Sequence, residues 1–504
     1  MDPVLRGEGV RPGKNRIHAF YRSSLFNAII VGLVSFTQPG IWTALSSLGA
    51  GGLATPFFAN AANVITFAIM VFMSPVFAVL GNRWSLKWVL VIGTLGYAPF
   101  SASLYANSVY GTQWFMLFGA ATCGFSAAAL WVSEAAIGVG YPEEHRKGVY
   151  RAPFPLPIIP PTYLIAIWFA LNKIGSIIGT SIELALNLDD NQQGSISPKT
   201  YLVLIALQCL GLPLSLLISP IDKLIRTDGT KPTQPPRTTL REGFHRFWLV
   251  CKRPEIAVLV PIFLTSQWAQ TYEGNYLTAY FTVRARALAA FIITWVGLAI
   301  NLLLGYLLDN TRLIGPRSTR ARSTWILIVL MYTITYVYNI VVQVEYQKPN
   351  PTFDITDAGF GKAVAVYCIF FIPYNAFAVW GYWVLGCFDS RIENLTFSTA
   401  LLRGGESLAS TISYGLGASE NVSLLTNLLV AAVLFWISVP STTWSAWRVG
   451  EGGLDGSVDG ESQRGSRDGG GGGGGGGGAD SDGNGDDSGE SVQRVEVQVK
   501  GEGK

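Results

Sequence analysis

Charge is what this sequence has least of. Only 14% of its 504 residues are charged, where a soluble domain carries roughly 25%. The net charge of +3 is too small to imply a nucleic-acid partner. Histidine is scarce as well: His18, His145 and His245 stand far apart in polar segments, so neither a metal cluster nor a Ser–His relay can assemble. The five cysteines offer no disulfide framework and no metal-ligand spacing. Cys123, Cys209, Cys368 and Cys387 fall inside or at the ends of apolar runs and Cys251 lies in a basic loop, so they read as small buried hydrophobes. A P-loop, a dinucleotide fingerprint and an H-E-x-x-H motif are all lacking. The sequence therefore points away from an enzyme, implies no cofactor or metal, and leaves any transport to proceed without ATP hydrolysis in this chain. A cleavable leader is not expected: the first 24 residues are polar and basic, and the apolar run behind them is too long for a signal core.

What the chain has instead is 49% apolar residues, 56 glycines, 15 tryptophans and 20 tyrosines. Glycine inside spans and Trp or Tyr at their ends are what packed bilayer helices use. A span needs about 20 apolar residues, because every backbone N–H and C=O must be paired internally across about 30 Å of hydrocarbon. Such runs fall at 25–49, 58–80, 88–106, 113–139, 163–186 and 200–220, and resume at 255–281, 287–308, 323–344, 360–388, 394–418 and 422–446. The expected fold is an all-α polytopic membrane protein of about twelve helices in two six-helix bundles, 25–220 and 255–446. The partner this demands is the lipid bilayer.

Basic residues set the expected orientation. Arg6, Arg11, Lys14, Arg16 and Arg22, then Arg83 and Lys87, Arg146 and Lys147, and Arg312, Arg317, Arg320 and Arg322 all fall on one side. The loops 50–57 and 107–112 on the other side have none. By the positive-inside rule both termini face the cytoplasm; plasma and internal membranes are not distinguished. The basic N-terminal segment is 1–24. The central loop 221–254, basic and proline-bearing, reads as a cytoplasmic hinge or as an anionic-lipid site at the inner leaflet. The tail 447–504 includes the unbroken run Gly469 to Gly478 and reads as disordered. The stretch 151–162 packs five prolines ahead of the fifth run, so that helix is expected to start near Tyr163. It is either a re-entrant loop or a neutral insertion, such as a retained intron.

Ionisable residues inside spans are the sharpest lead, since each costs at least about 2.5 kcal/mol at mid-bilayer unless paired or hydrated. They are Glu134, Lys173, Glu183, Glu273, Arg403 and Glu406. Arg403 and Glu406, three apart on one face, are placed to neutralise one another. Glu134 and Lys173 have the option of bridging the fourth and fifth helices, and Glu183 of reaching water at its helix end. The seventh run is polar almost throughout from Thr265 to Asn275, including Gln270, so one face must meet a cavity or other polar helices. The first run is broken at Thr37-Gln38-Pro39-Gly40, freeing a carbonyl that a cavity or neighbouring helix must satisfy. Broken helices in matching places of two halves point to a midplane site. The candidate substrate or ion pathway is thus Gln38, Glu134, Lys173, Gln270, Glu273, Asn375, Arg403 and Glu406, with Asn60, Asn63, Asn301 and Tyr374 as further polar lining. Asn421-Val-Ser423 is a candidate glycosylation sequon, close to the membrane.

The six-plus-six layout resembles the major facilitator superfamily. That superfamily's loop after the second helix has the form G-x-x-x-D-R-x-G-R-K, of which Asn82-Arg83-Trp84-Ser85-Leu86-Lys87 keeps the Arg and the final Lys. The segments PGIWTALSSLGAGG (39–52), NAANVITFAIMVF (60–72), VIGTLGYAPFSASLY (91–105) and GFSAAALWVSEAAIGVGYPEEHRKG (124–148) are more specific. With them the chain resembles the fungal branch of the Unc-93-like membrane proteins over most of 20–446. The resemblance implies a facilitator fold without naming a substrate. It also implies two roles: a secondary transporter of an unidentified small solute or ion, or a non-transporting regulator or trafficking partner of another membrane protein.

Overall fold

The structure is a computed structural model and describes residues 20–53, 56–141, 161–224, 239–389, 391–419 and 421–450. Most of the proline-rich stretch, the loop 225–238 and the glycine-rich tail lie outside the described residues.

Ten helices among the described residues are long and apolar enough to cross a membrane. In chain order they are α1 (Ser24–Ser47), α2 (Phe57–Arg83), α3 (Leu86–Tyr110), α4 (Gln113–Gly138), α5 (Ile167–Asn187) and α6 (Pro198–Leu216), then α8 (Val283–Leu308), α9 (Arg317–Tyr346), α10 (Phe360–Phe388) and α12 (Leu424–Arg448). Two more, one broken into pieces too short to cross alone and one too polar, bring the total among the described residues to twelve. α7 is broken into Pro254–Ala257, Val260–Phe263 and Ala269–Tyr280, and α11 is the continuous helix Ile392–Gly417. The chain is therefore an integral, multi-pass, all-α membrane protein with two six-helix halves. The regular helix that contains α5 starts at Pro161, two residues ahead of the expected Tyr163. Proline is tolerated at a helix start because its missing N–H would be unpaired there anyway.

The two halves meet along α2 against α11 and α5 against α8. Outward faces carry bare apolar side chains such as Phe72, Leu303, Val341 and Ile437, as lipid contact requires. Small residues let the inner helices approach closely. A Cβ on Gly175 would lie 2.4 Å from the Phe36 carbonyl oxygen, and one on Gly40 would lie 2.8 Å from that of Asn172, so α1 and α5 pack backbone to backbone.

The expected break in α1 is a wide π-turn over Phe36–Gly40 that contains Pro39. Its loose polar groups are met by α5. Asn172 donates to the Ser35 carbonyl at 3.4 Å and the Ser35 hydroxyl at 3.0 Å, and the Ser176 hydroxyl donates to the Gly40 carbonyl at 3.0 Å.

The central loop is more than a plain linker. It includes an amphipathic helix, Leu240–Cys251, started by the Thr239 side chain accepting from the Glu242 N–H. Gly243 and Val250 face inward, while Leu240, Phe244 and Trp248 form an exposed stripe at helical spacing.

Candidate functional site

A cavity of about 160 Å³ lies between the halves, lined by residues of α1 to α5 on one side and α7, α8, α10 and α11 on the other. Six of the eight pathway candidates line it: Lys173, Gln270, Glu273, Asn375, Arg403 and Glu406. Asn60, Asn63, Asn301 and Tyr374 line it as well.

Gln38 and Glu134 do not reach the cavity lining. Gln38 is fully buried and its amide donates to the Gln208 carbonyl of α6 at 2.6 Å, so it ties α1 to α6. Glu134 accepts from the Trp168 indole N–H at 3.2 Å. The option of a Glu134–Lys173 bridge is therefore not realised. Glu183 departs from expectation too. It is fully buried rather than reaching water, and neither carboxyl oxygen has a hydrogen-bond partner.

Arg403 and Glu406 form the local pair that their spacing suggests, at 2.8 Å and buried. The guanidinium also donates to the Tyr382 hydroxyl and lies 3.9 Å from the centroid of the Trp131 ring. Glu406 accepts from Ser266 of α7 at 3.2 Å, which joins the two polar helices. Glu273 accepts from the Asn339 amide at 3.1 Å with one oxygen, while the other is buried without a partner. The Asn301 carbonyl oxygen is likewise unpartnered. Burying such acceptors unpaired costs about 1–3 kcal/mol each, so two residues of the lining carry unspent hydrogen-bonding capacity.

Sequence reasoning missed the aromatic wall. Trp42, Phe67, Tyr97, Phe100 and Trp131 line the cavity from the first half, and Phe371 and Phe377 from the second. Aromatic residues are so frequent in this chain that no local pattern singles these out. It also missed Arg286. This side chain is 1% exposed, and it crosses from α8 to donate to the backbone carbonyls of Leu48 at 2.7 Å and Gly49 at 3.2 Å. The only hint was an arginine at the head of an apolar run.

Both ends of the cavity are spanned by bonds between the halves. On the face opposite the chain ends, Tyr367 donates to the Ser47 carbonyl at 2.9 Å, and Asn60 donates to Asn275 at 3.1 Å and to the Gly417 carbonyl at 3.0 Å. On the face bearing the chain ends, Asn82 donates to the Glu393 carbonyl at 3.3 Å. Asn82 holds the place of the acid in the facilitator loop motif, and here a neutral amide makes the link. Deeper on that side, the Trp168 and Phe169 rings of α5 meet Tyr382 of α10 at 5.7 and 5.8 Å between centroids.

The sequon asparagine Asn421 is exposed on a turn, and Ser423 caps α12 by accepting from the Thr426 N–H at 3.1 Å. No cluster of three or more His, Cys, Asp or Glu side chains suited to a metal occurs among the described residues.

No protein-family model matches the chain. It is 32% identical over 433 residues to the notoamide biosynthesis cluster protein O' of Aspergillus versicolor, covering 86% of this chain and 90% of that one. It is 25% identical to an UNC93-like protein of Schizosaccharomyces pombe, covering 84% of each chain. It is also 25% identical to UNC93-like protein 1 of Arabidopsis thaliana, covering 83% of this chain and 89% of that one. Among solved structures, the nucleoside transporter NupG superposes with a TM-score of 0.54 at 14% identity, over 84% of this chain and 99% of that one. That likeness establishes the major facilitator fold.

Proposed function

Because the chain belongs to the Unc-93-like membrane proteins and has the major facilitator fold, we propose that it is a secondary transporter moving a small solute or ion by alternating access. The observation that carries the proposal is the cavity between the halves whose lining includes Lys173, Glu273 and the Arg403–Glu406 pair. A closed scaffold gains nothing from leaving an ammonium without a counter-charge and a carboxyl oxygen buried without a partner, whereas a solute site needs such groups free. The halves are the rocking units. They part on one side when the Asn60, Tyr367 and Arg286 bonds break, and on the other when the Asn82 bond and the Trp168–Tyr382 contact break. The basic segments on the face of the chain ends support a cytoplasmic N-terminus. On that orientation Asn421 lies on the outer side, within reach of glycosylation only if its turn clears the membrane.

The Aspergillus relative takes its name from a biosynthesis cluster, which favours a small metabolite over an inorganic ion as solute. Catalysis is not part of the proposal, and the family's non-transporting role is the competing reading. In that reading the cavity charges pair within a closed bundle, as Arg403 and Glu406 do but Lys173 does not.

Reconstitution of the purified protein into proteoliposomes tests the reading. A screen of ions and small metabolites is expected to find uptake that Glu273→Gln and Arg403→Ala each reduce. Uptake indifferent to both changes removes the site. No uptake, together with stable co-purification of another membrane protein, replaces the transporter by the regulator.

A further inference from the structure

The cavity's two cations differ in one respect that decides what the cavity can bind. Arg403 is neutralised by Glu406 at 2.8 Å and is engaged by Trp131 and Tyr382. Lys173 of α5 lines the same cavity, partly buried, and among the described residues no hydrogen bond or ion pair accounts for its ammonium. Glu273, also in the lining, spends one oxygen on Asn339 and does not pair with Lys173. An ammonium held in a membrane-spanning segment without a counter-charge costs at least about 2.5 kcal/mol unless water or a solute meets it. A chain that spans the membrane with so few charges leaves this one unanswered where a solute would sit.

The surroundings narrow the solute further. Tyr97, Phe100, Trp131, Phe169, Tyr374 and Phe377 line the cavity together with Lys173. Rings prefer offset or edge contact with other flat π-systems, and a wall of this kind suits a small inorganic anion poorly. The volume of about 160 Å³ is well below the roughly 300–1,000 Å³ of sites for drug-sized ligands, which points to one ring rather than a fused system.

We propose that Lys173 is the charge-reading residue of the cavity and that its ligand is a single-ring aromatic monoanion, with the anionic group on the ammonium and the ring against the aromatic wall. A single unanswered cation sets the single negative charge. The inference rests on the transporter reading for the movement of the anion, and not for its binding.

Binding and uptake are read separately. Full-length protein in nanodiscs is heated with benzenesulfonate, with neutral benzenesulfonamide, with benzyltrimethylammonium, or with chloride. Benzenesulfonate is expected to raise the melting temperature while the other three leave it within error. Lys173→Gln is expected to weaken benzenesulfonate binding at least tenfold, and Lys173→Arg to retain most of it. Equal stabilisation by the sulfonamide, the same response to chloride, or no response to the sulfonate overturns the proposal. So does unchanged affinity in a folded Lys173→Gln protein. The charge selectivity of the unaltered protein stands as the test should that variant fail to fold. Radiolabelled benzenesulfonate, which crosses lipid poorly by itself, is then offered to proteoliposomes. Binding without uptake removes transport and keeps the anion site. Uptake of some other solute without sulfonate binding removes the anion site and keeps transport.

Discussion

Arg286 on α8 donates its Nε proton to the carbonyl of Leu48, 2.7 Å away, and so caps the end of α1 from the opposite half of the molecule. A cation at a helix C-terminus meets both the negative end of the macrodipole and carbonyls that lack partners inside the helix. Gly49, next in the chain, has φ of +70° and packs against the Gly274 carbonyl of α7, where a side chain would not fit. One arginine and one glycine thus join the Tyr367 and Asn60 bonds in closing this face. Arg286→Met is expected to lower the melting temperature by unpairing the Leu48 carbonyl, at about 1–3 kcal/mol, while the Gly49 carbonyl keeps the Gly52 N–H. It is also expected to speed thiol labelling of Thr278→Cys, which sits beside Gly49. Unchanged labelling would show that the face is held by other bonds.

The Arg403–Glu406 pair should behave as a unit. Arg403→Leu alone strands a buried carboxylate and is expected to destabilise by about 3–5 kcal/mol. Arg403→Leu combined with Glu406→Leu should recover most of that loss while uptake stays low. A double variant as unstable as the single one would mean that the pair does not share its cost. Denaturation midpoints of the three proteins in one detergent decide this.

The α1–α5 contact leaves no room at Gly175. Gly175→Ala puts a methyl 2.4 Å from a backbone oxygen that cannot rotate away, and overpacking of this kind costs about 1–3 kcal/mol. Gly194→Ala is the control, since nothing lies within 4 Å of its would-be Cβ. Folded yield from size-exclusion profiles should fall for the first and hold for the second.

Acid should loosen the loop between α9 and α10. Asp354 accepts from the Arg284 Nε at 2.8 Å and from the Thr282 hydroxyl at 2.7 Å. The Arg284 guanidinium, aided by Thr282 and the Ile355 N–H, holds this carboxyl well below the usual carboxylate range. A carboxyl depressed in the folded state stabilises fully above its unfolded value near 3.9, and loses that contribution as pH falls through the folded value. Asp354→Asn should therefore melt earlier than the parent at pH 7 and pH 5 by the same margin. The margin should shrink only below about pH 4. A margin that already closes between pH 7 and pH 5 would point to another group.

How far the sequence disclosed the site follows from what each residue pairs with. The spans were readable because an apolar run about 20 residues long has few other uses. Arg403 and Glu406 were readable because their partnership is local, three residues apart on one helix. Gln38 and Glu134 stand off the cavity lining because an intramembrane polar residue announces burial, not direction, and both turn to neighbouring helices of their own half. Arg286 was unreadable as a latch because its partners are backbone carbonyls, which no side-chain pattern encodes. The Asn172 amide that answers the broken α1 lay in full view, beside Lys173, yet only the packing of α5 on α1 gives it that role.

The polarity of α7 and α11 also bears on how the protein is made. A charged side chain at the centre of a span costs about 2.5–3.5 kcal/mol on the insertion scale, and both helices fall outside the set long and apolar enough to cross. Neither is expected to leave the translocon alone. α11 finds α2 already in the bilayer and docks along it. α7 is synthesised before α11 and α12, against which it packs, so it must wait at the translocon or be escorted until they emerge. Changes on the α7-facing sides of those two helices should then reduce the amount of protein reaching the membrane, even where the finished fold would tolerate them.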